Sequence, residues 1–288
     1  MQMEDEPLIT VVIPTYKRAS LVSRAVRGVQ NQTYKNLEII VVDDASPDNT
    51  EEVVKNISDP RIRYIRHERN RGLAAAGRNT GIQAARGKYV TFLDDDDEWR
   101  ETMIEKQLEA IKTHDAVLCA AVMNSGAIKR HNKSRVTLDD LRKGNCFDPS
   151  SFMAKTSVLK EVPFDEQLRE GEDWDIFIRI AEKYSIGYVN EPLLLYHDGG
   201  HERITNEAKN LSPGDLERRM SIFSKHRGFF GQFWSDYHRA SVLLSYLVYR
   251  NGKLSRIAYA IQQCGLVPVA AVLVNKIRNS AKRHSTMN

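Results

Sequence analysis

The feature that most constrains this chain is an apolar run that stops abruptly in acid. Tyr89-Val90-Thr91-Phe92-Leu93 is followed by Asp94-Asp95-Asp96-Asp97-Glu98-Trp99. A short run rich in β-branched and aromatic residues reads as a buried strand. In open α/β sheets, ligands gather beyond the carboxyl ends of such strands. Four adjacent carboxylates repel one another, so a fold that collects them at a strand end is expected to bring a cation there. Hard oxygen donors favour Mg²⁺ or Mn²⁺, ions that commonly accompany a diphosphate. Taken alone, an acidic run also reads as a solvated loop capping the helix expected from Glu101.

The surrounding pattern sharpens that choice. Leu8–Ile13 reads as a strand ending at Pro14, Leu21–Gln30 as a helix, and Glu38–Val42 as a second strand ending in Asp43-Asp44-Ala45-Ser46. Asp48, Asn49 or Thr50 can cap the next helix. Arg61–Arg66 alternates as a third strand, Leu73–Ala85 is rich in helix formers, and Lys88–Leu93 is the fourth strand. Alternation of this kind predicts a mainly parallel sheet with crossover helices. Its strand ends would bring Thr15-Tyr16, Asp43-Asp44 and the four aspartates to one edge. The first turn, Pro14-Thr15-Tyr16-Lys17-Arg18, has neither a dinucleotide glycine fingerprint nor a Walker-type loop. Phosphates at this edge would therefore be held by a metal and basic side chains.

Farther along, Glu101–Thr113 reads as a helix, Asp115–Met123 as a strand and Asn124–Gly144 as a polar, basic loop. Ser151–Ala154 reads as a short strand. In Glu170-Gly171-Glu172-Asp173-Trp174-Asp175, the acids open a helix whose Trp174, Phe177, Ile178 and Ala181 are expected to face the core. Leu193–Tyr196 is the last strand expected, before His197 and His201.

Composition adds a boundary and a compartment. The net charge of +4 conceals 13 Lys/Arg against 4 Asp/Glu in residues 206–288, and no acidic residue at all from Tyr237 onward. A basic tail behind an acidic body predicts an anionic partner. Phe233, Tyr237, Ala240, Leu244 and Leu247 have helical spacing, and the apolar stretch Leu266–Val274 is followed by cations. These features predict helices that lie on an anionic membrane surface, pack on the rest of the chain, or pair two copies. No nucleic-acid recognition motif accompanies the charge. Cys119, Cys146 and Cys264 have no metal-ligand spacing, which fits a reducing compartment. No apolar stretch long enough for a membrane span is evident, nor is a signal peptide. The expected location is cytoplasmic, either free or peripheral on the inner face of the plasma membrane.

Five ordered elements carry a family resemblance: Val12-Ile13-Pro14-Thr15-Tyr16, Val41-Val42-Asp43-Asp44-Ala45-Ser46, Asn70-Arg71-Gly72 with Gly77-Arg78-Asn79, Phe92–Trp99, and Gly171-Glu172-Asp173-Trp174. Over residues 8–205 the chain resembles the inverting glycosyltransferases of family 2. That resemblance implies the GT-A fold, a Rossmann-like α/β architecture with a mainly parallel mixed sheet flanked by helices. It implies a nucleotide-sugar-binding half at residues 1–100 and an acceptor-binding half at 101–205; the charge and helical spacing beyond it predict a basic helical C-terminal extension at 206–288.

The resemblance also assigns roles. Thr15, Tyr16 and Asp43 or Asp44, with Asp44 preferred, would hold the nucleoside, and a carboxylate on the uracil N3–H would select uridine. Asp94–Asp96 looks like the DxD motif, with Asp94 or Asp95 on the ribose and Asp96 on Mn²⁺ or Mg²⁺. Arg78 and Asn79 would approach the ribose or phosphates; the alternative is a surface arginine and a helix-buried amide. His197 or His201 would add a metal contact, His201 matching the family's ending more closely. Asp173 resembles the base that takes the proton of an acceptor hydroxyl. The expected reaction moves a sugar from a UDP-sugar to a glycan or polyisoprenyl-linked acceptor in surface polysaccharide synthesis. The competing expectations are a sugar-phosphate nucleotidyltransferase and a degenerate sugar-nucleotide-binding module.

Overall fold

The computed structural model describes residues 6–145, 147–197, 216, 220–246 and 253–285. His201, Cys146, Leu247 and the expected boundary at 205/206 lie outside the described residues. The chain divides into two compact units, one of Met1–Leu141, Asn145–Gln167 and Glu172–Gly199, the other of Arg142–Gly144, Leu168–Gly171 and Gly200–Asn288.

The first unit is built on a sheet of β1 (Ile9–Thr15), β2 (Leu37–Asp43), β3 (Ile62–Arg66), β4 (Tyr89–Phe92), β5 (Glu98–Trp99), β6 (Ala116–Met123), β7 (Ile128–Lys129), β8 (Arg135–Val136), β9 (Phe152–Lys155) and β10 (Ile186–Tyr196). Among the described residues the main strand order is β3-β2-β1-β4-β9-β6-β10-β5, with β7 beside β6 and β8 beside β10. The first four strands pair in parallel, and β9 runs antiparallel to both β4 and β6. Strand order reverses at β1, since β2 and β3 are laid down on one side of it and β4 on the other. Such a reversal opens a crevice beyond the carboxyl ends of the strands. Thr15 closes one side of it and Asp94 the other.

The strands form because their Ile and Val runs are buried on both faces, as a covered parallel sheet requires. Helix α1 (Ala19–Gln30) buries Val22, Ala25, Val26 and Val29, one stripe at helical spacing. After α2 (Thr50–Lys55), helix α3 (Ala74–Ala84) lies so close to β1 that a Cβ at Gly81 would come 2.3 Å from Val12 Cγ1. Glycine there lets helix and strand approach. Next come α4 (Met103–Ile111), α5 (Leu138–Lys143), α6 (Thr156–Glu161) and α7 (Glu172–Ala181).

Two expectations change here. The stretch read as a loop, Asn124–Gly144, contains β7, β8 and α5, its polar residues masking short edge pairings. In α7 the buried positions are Asp175, Ile176, Phe177, Ile178 and Ile180. Trp174 is only half-buried and donates its indole N–H to Leu141 O at 2.8 Å. Asp175 can be buried because Arg179, one turn on, pairs with it at 2.6 Å.

In the second unit, helices α8 (Ser221–Lys225), α9 (Arg227–Tyr246), α10 (Lys253–Cys264) and α11 (Leu266–Ser285) pack together. Gly231 breaks the path of α9 with φ 68° and ψ 171°. The break shifts the buried face, so Phe233, expected in the core, is 44% exposed. Ala240, Leu243 and Leu244 are buried, together with His238, which stacks on Phe223 and Trp234. The His238 Nε2 lies 2.8 Å from Arg142 O, and burial lowers the imidazole pKa.

Candidate active site

Every described residue of the candidate site belongs to the first unit. The turn after β4 presents the four aspartates in four different settings. Asp94 accepts from Arg78 Nη2 at 2.7 Å. Asp95 is buried and accepts from Thr15 Oγ1 at 2.7 Å and from Arg18 Nη1 at 2.9 Å. Burial pushes its carboxyl up to about 6, with Arg18 and Thr15 opposing. Asp96 meets Arg18 Nη1 at 3.2 Å, while its backbone carbonyl accepts from Arg24 Nη2 at 2.9 Å. Asp97 faces inward, accepting from Ser150 Oγ at 2.8 Å and from the His197 backbone N–H at 3.3 Å. Burial, then Asp94 and Asp96, raise its pKa well above the usual carboxylate range. Asp97 thus fastens the loop to the scaffold, leaving Asp94, Asp95 and Asp96 along the crevice.

Asp43 and Asp44, at the end of β2, are already engaged by the chain. Asp43 accepts from Ser46 N, Tyr64 Oη at 2.5 Å and Arg66 Nη1 at 2.6 Å. Asp44 accepts from the backbone N–H groups of Arg71 and Gly72 at 3.0 and 2.9 Å, and its Oδ1 lies 2.8 Å from His67 Nδ1. These carboxylates fix the Asn70-Arg71-Gly72 turn. Tyr16 stands beside Thr15 with 43% of its surface exposed. Lys17 and Ala45, just past β1 and β2, have left-handed backbones with φ 57° and 62°. Non-glycine residues held this way at strand ends are typical of ligand-binding turns.

Arg78 is 2% exposed, which replaces the surface-arginine alternative with a buried bridge. Its Nη2 holds Asp94 and its Nη1 lies 3.2 Å from Glu172 Oε1, with the guanidinium 5.3 Å from the Phe164 ring centroid. The neighbouring Asn79 does not point along the same path. Its amide donates to Phe164 O and Glu166 Oε1 and accepts from Phe164 N, so it clamps the 164–166 segment.

Asp173 opens α7 one residue beyond Glu172. It accepts from Asn145 Nδ2 at 2.9 Å and from Trp174 N at 2.7 Å. Desolvation first, then the charge of Glu172, hold its carboxyl far above the usual range, against the pull of Arg78. A carboxylate with a raised pKa near a strand-end crevice is suited to take a proton at neutral pH.

His197 contacts the acidic loop through Glu98, its Nε2 lying 3.2 Å from Glu98 Oε1. Among the described residues, no three His, Cys, Asp or Glu side chains converge to hold a metal by themselves. Mg²⁺ and similar ions are commonly held by one or two carboxylates plus substrate phosphates, so the hard oxygens along Asp94–Asp96 fit such an ion. Arg18, Arg24, Asn145 and Ser150 were not singled out from the sequence. Only Arg18 carried a signal, as a basic residue in the first strand-end turn.

Comparison with known proteins gives the same outline. The sequence profile of glycosyl transferase family 2 matches residues 10–160. WcaA of Escherichia coli K12, named as a colanic acid biosynthesis glycosyl transferase, is 31% identical over 277 residues, covering 87% of this chain and 97% of that protein. WfgD of E. coli, named as a UDP-Glc:alpha-D-GlcNAc-diphosphoundecaprenol beta-1,3-glucosyltransferase, is 28% identical over 65% of this chain and 74% of its own. Among solved structures, S. aureus TarS 1-349 in complex with UDP-GlcNAc superposes with a TM-score of 0.65 at 18% identity, covering 92% of this chain and 83% of that one. The Pyrobaculum calidifontis mannosyltransferase PcManGT, in complex with GDP-Man and Mn²⁺, superposes at 0.62 and 18% identity, covering 96% and 81%. At these identities the likeness is one of fold, and the fold is GT-A.

Proposed function

The chain belongs to glycosyl transferase family 2 and is a glycosyltransferase, and from that premise we propose that it moves a sugar from a UDP-sugar to a hydroxyl of a lipid-linked glycan, with inversion, in surface polysaccharide synthesis. One observation carries the mechanism. Arg78 ties the acidic loop at Asp94 to Glu172, the neighbour of Asp173, so the acidic loop and Asp173 are held in one frame. WfgD, whose name specifies UDP-Glc and a diphosphoundecaprenol acceptor, supports the donor and acceptor classes.

In this reading Thr15 and Tyr16 receive the nucleoside, with the Tyr16 ring exposed for the base. Asp44 orders the Arg71-Gly72 turn along that edge, and Asp43 orders Ser46. Asp94 and Asp95 face the ribose. Asp96 would hold a divalent cation, as would the expected histidine contact, His197 or His201. When bound, that ion neutralises charge on the departing diphosphate. Arg18, spread between Asp95 and Asp96, is a cation of the chain itself at the edge where phosphates would lie.

Asp173 takes the acceptor hydroxyl's proton while that oxygen attacks the anomeric carbon from the face opposite the nucleotide. The carbon–oxygen bond to UDP breaks as the new one forms, so the centre inverts in a single displacement. One base suffices, whereas a glycosidase would need two flanking carboxyl groups. The nucleotidyltransferase alternative lacks its expected phosphate loop, and a binding module would not need Asp173. The direct test is UDP release from a panel of UDP-sugars with Mn²⁺, with and without chelator, in the presence of lipid-linked acceptor. Chelator-sensitive release from one donor is expected; release that ignores the chelator would remove the metal from this account.

A further inference from the structure

Helix α11 has two apolar faces and only one of them is covered. At about 100° per residue, Pro268, Val269 and Val272 fall together on one side. All three are buried, Val269 and Val272 at 1% and 2% exposure. This side packs within the unit, where Asn275 Nδ2 reaches Tyr237 Oη at 2.9 Å and Lys276 Nζ reaches Ser245 Oγ at 3.0 Å on α9. Leu266, Val267, Ala270, Val274 and Ile277 occupy a second arc, roughly 100° wide. Leu266, Val267, Val274 and Ile277 are 65%, 69%, 47% and 69% exposed. Bare aliphatic side chains aligned in this way mark a contact surface.

The charge around this stripe specifies what covers it. Arg278, which is exposed, borders it on one side, while Lys276 lies on the packed side beside Ser245. Between Tyr237 and Asn288 the chain has eight Lys/Arg and no Asp or Glu. A second copy placed symmetrically on the stripe would bring the two sets of cations together with no acid in this segment to offset them. An anionic lipid surface instead accepts the aliphatic side chains among its acyl chains and the cations at its headgroups. Among the described residues no helix is long and apolar enough to cross a membrane. We propose that the exposed face of α11, centred on Ala270, Val274 and Ile277, lies flat in the interface of an anionic membrane. The inference does not depend on which donor the enzyme uses. It gives a lipid-linked acceptor and its enzyme a shared surface.

The test is co-sedimentation of the full chain with vesicles of phosphatidylcholine alone or mixed with phosphatidylglycerol, at low and high salt. The protein should sediment with the phosphatidylglycerol vesicles only, and high salt should release it. The Val274→Asp/Ile277→Asp pair should weaken binding about tenfold or more with unchanged melting temperature. Ile277→Ser, a milder change at an exposed position, should weaken it in the same direction. Wild-type protein that ignores phosphatidylglycerol, or variants that bind as wild type does, would overturn the proposal. A wild-type dimer that the aspartate pair dissociates, with no lipid binding by either, would assign the face to a second copy instead.

Discussion

Arg78 and Glu172 lie 94 residues apart in sequence and meet at 3.2 Å inside the protein. The same guanidinium holds Asp94 at 2.7 Å, so a single buried cation spans from the turn after β4 to the first turn of α7. Breaking one partner out of a buried ion pair typically costs about 3–5 kcal/mol, because the remaining charges lose their compensation. Arg78→Met is expected to lower stability by about that much and to reduce transfer. Arg78→Lys keeps the charge but lacks the two-pronged reach, and should recover only part of the loss. Urea unfolding and transfer assays of both variants check this; wild-type behaviour of the methionine variant would remove the bridge.

Asp173→Asn retains the shape but cannot take a proton, and its single amide oxygen can accept from only one of Asn145 Nδ2 and Trp174 N. UDP-sugar affinity should be unchanged, while transfer falls about 10²–10⁴-fold. Donor titration and single-turnover transfer distinguish the two effects, and loss of donor binding would place Asp173 in the nucleotide site.

The raised pKa of Asp173 also sets a pH dependence. The base works only when ionised, so transfer should fall as pH drops through a midpoint well above the ordinary carboxylate value of roughly 3.9. Stability moves the other way. With the folded pKa of Asp95 at about 6 and that of Asp173 also raised, the folded state binds more protons than the unfolded one above roughly pH 4. These two groups therefore stabilise the fold at low pH and lose that contribution as pH rises. A kcat profile flat down to the ordinary carboxylate range would contradict the activity half. Denaturation of wild type and Asp173→Asn across the same range tests the stability half, with a shallower slope expected in the variant.

Gly81→Ala places a methyl group where Val12 already stands, 2.3 Å from Cγ1. Separating α3 from β1 to admit it should cost about 1–3 kcal/mol. Chemical denaturation measures the cost, and an unaltered midpoint would show that the helix can shift freely.

Much of the first unit was legible because its strands are continuous Ile and Val runs that end in aspartate, a pattern few other elements produce. The gathering of Thr15 with Asp95 followed from that topology alone. Other features depend on tertiary partners and leave no local trace. Nothing local marks Asp175 for burial, yet it is buried against Arg179. Asp43 and Asp44 look equally available in sequence, whereas Tyr64, Arg66, His67 and two backbone N–H groups already engage them. Phe233 has the spacing of a core residue, but the left-handed Gly231 two residues earlier changes which face of α9 is covered.

The central claim is transfer from a UDP-sugar with Asp173 as base in a metal-assisted site. Its most direct test is UDP release from the preferred donor with lipid-linked acceptor and Mn²⁺, run side by side for wild type, Asp96→Asn and Asp173→Asn, with UDP binding measured in each. The account predicts active wild type, an Asp96→Asn enzyme that loses Mn²⁺-dependent binding, and an Asp173→Asn enzyme that binds UDP normally but does not transfer. Transfer at wild-type rate by the Asp173→Asn enzyme would contradict it.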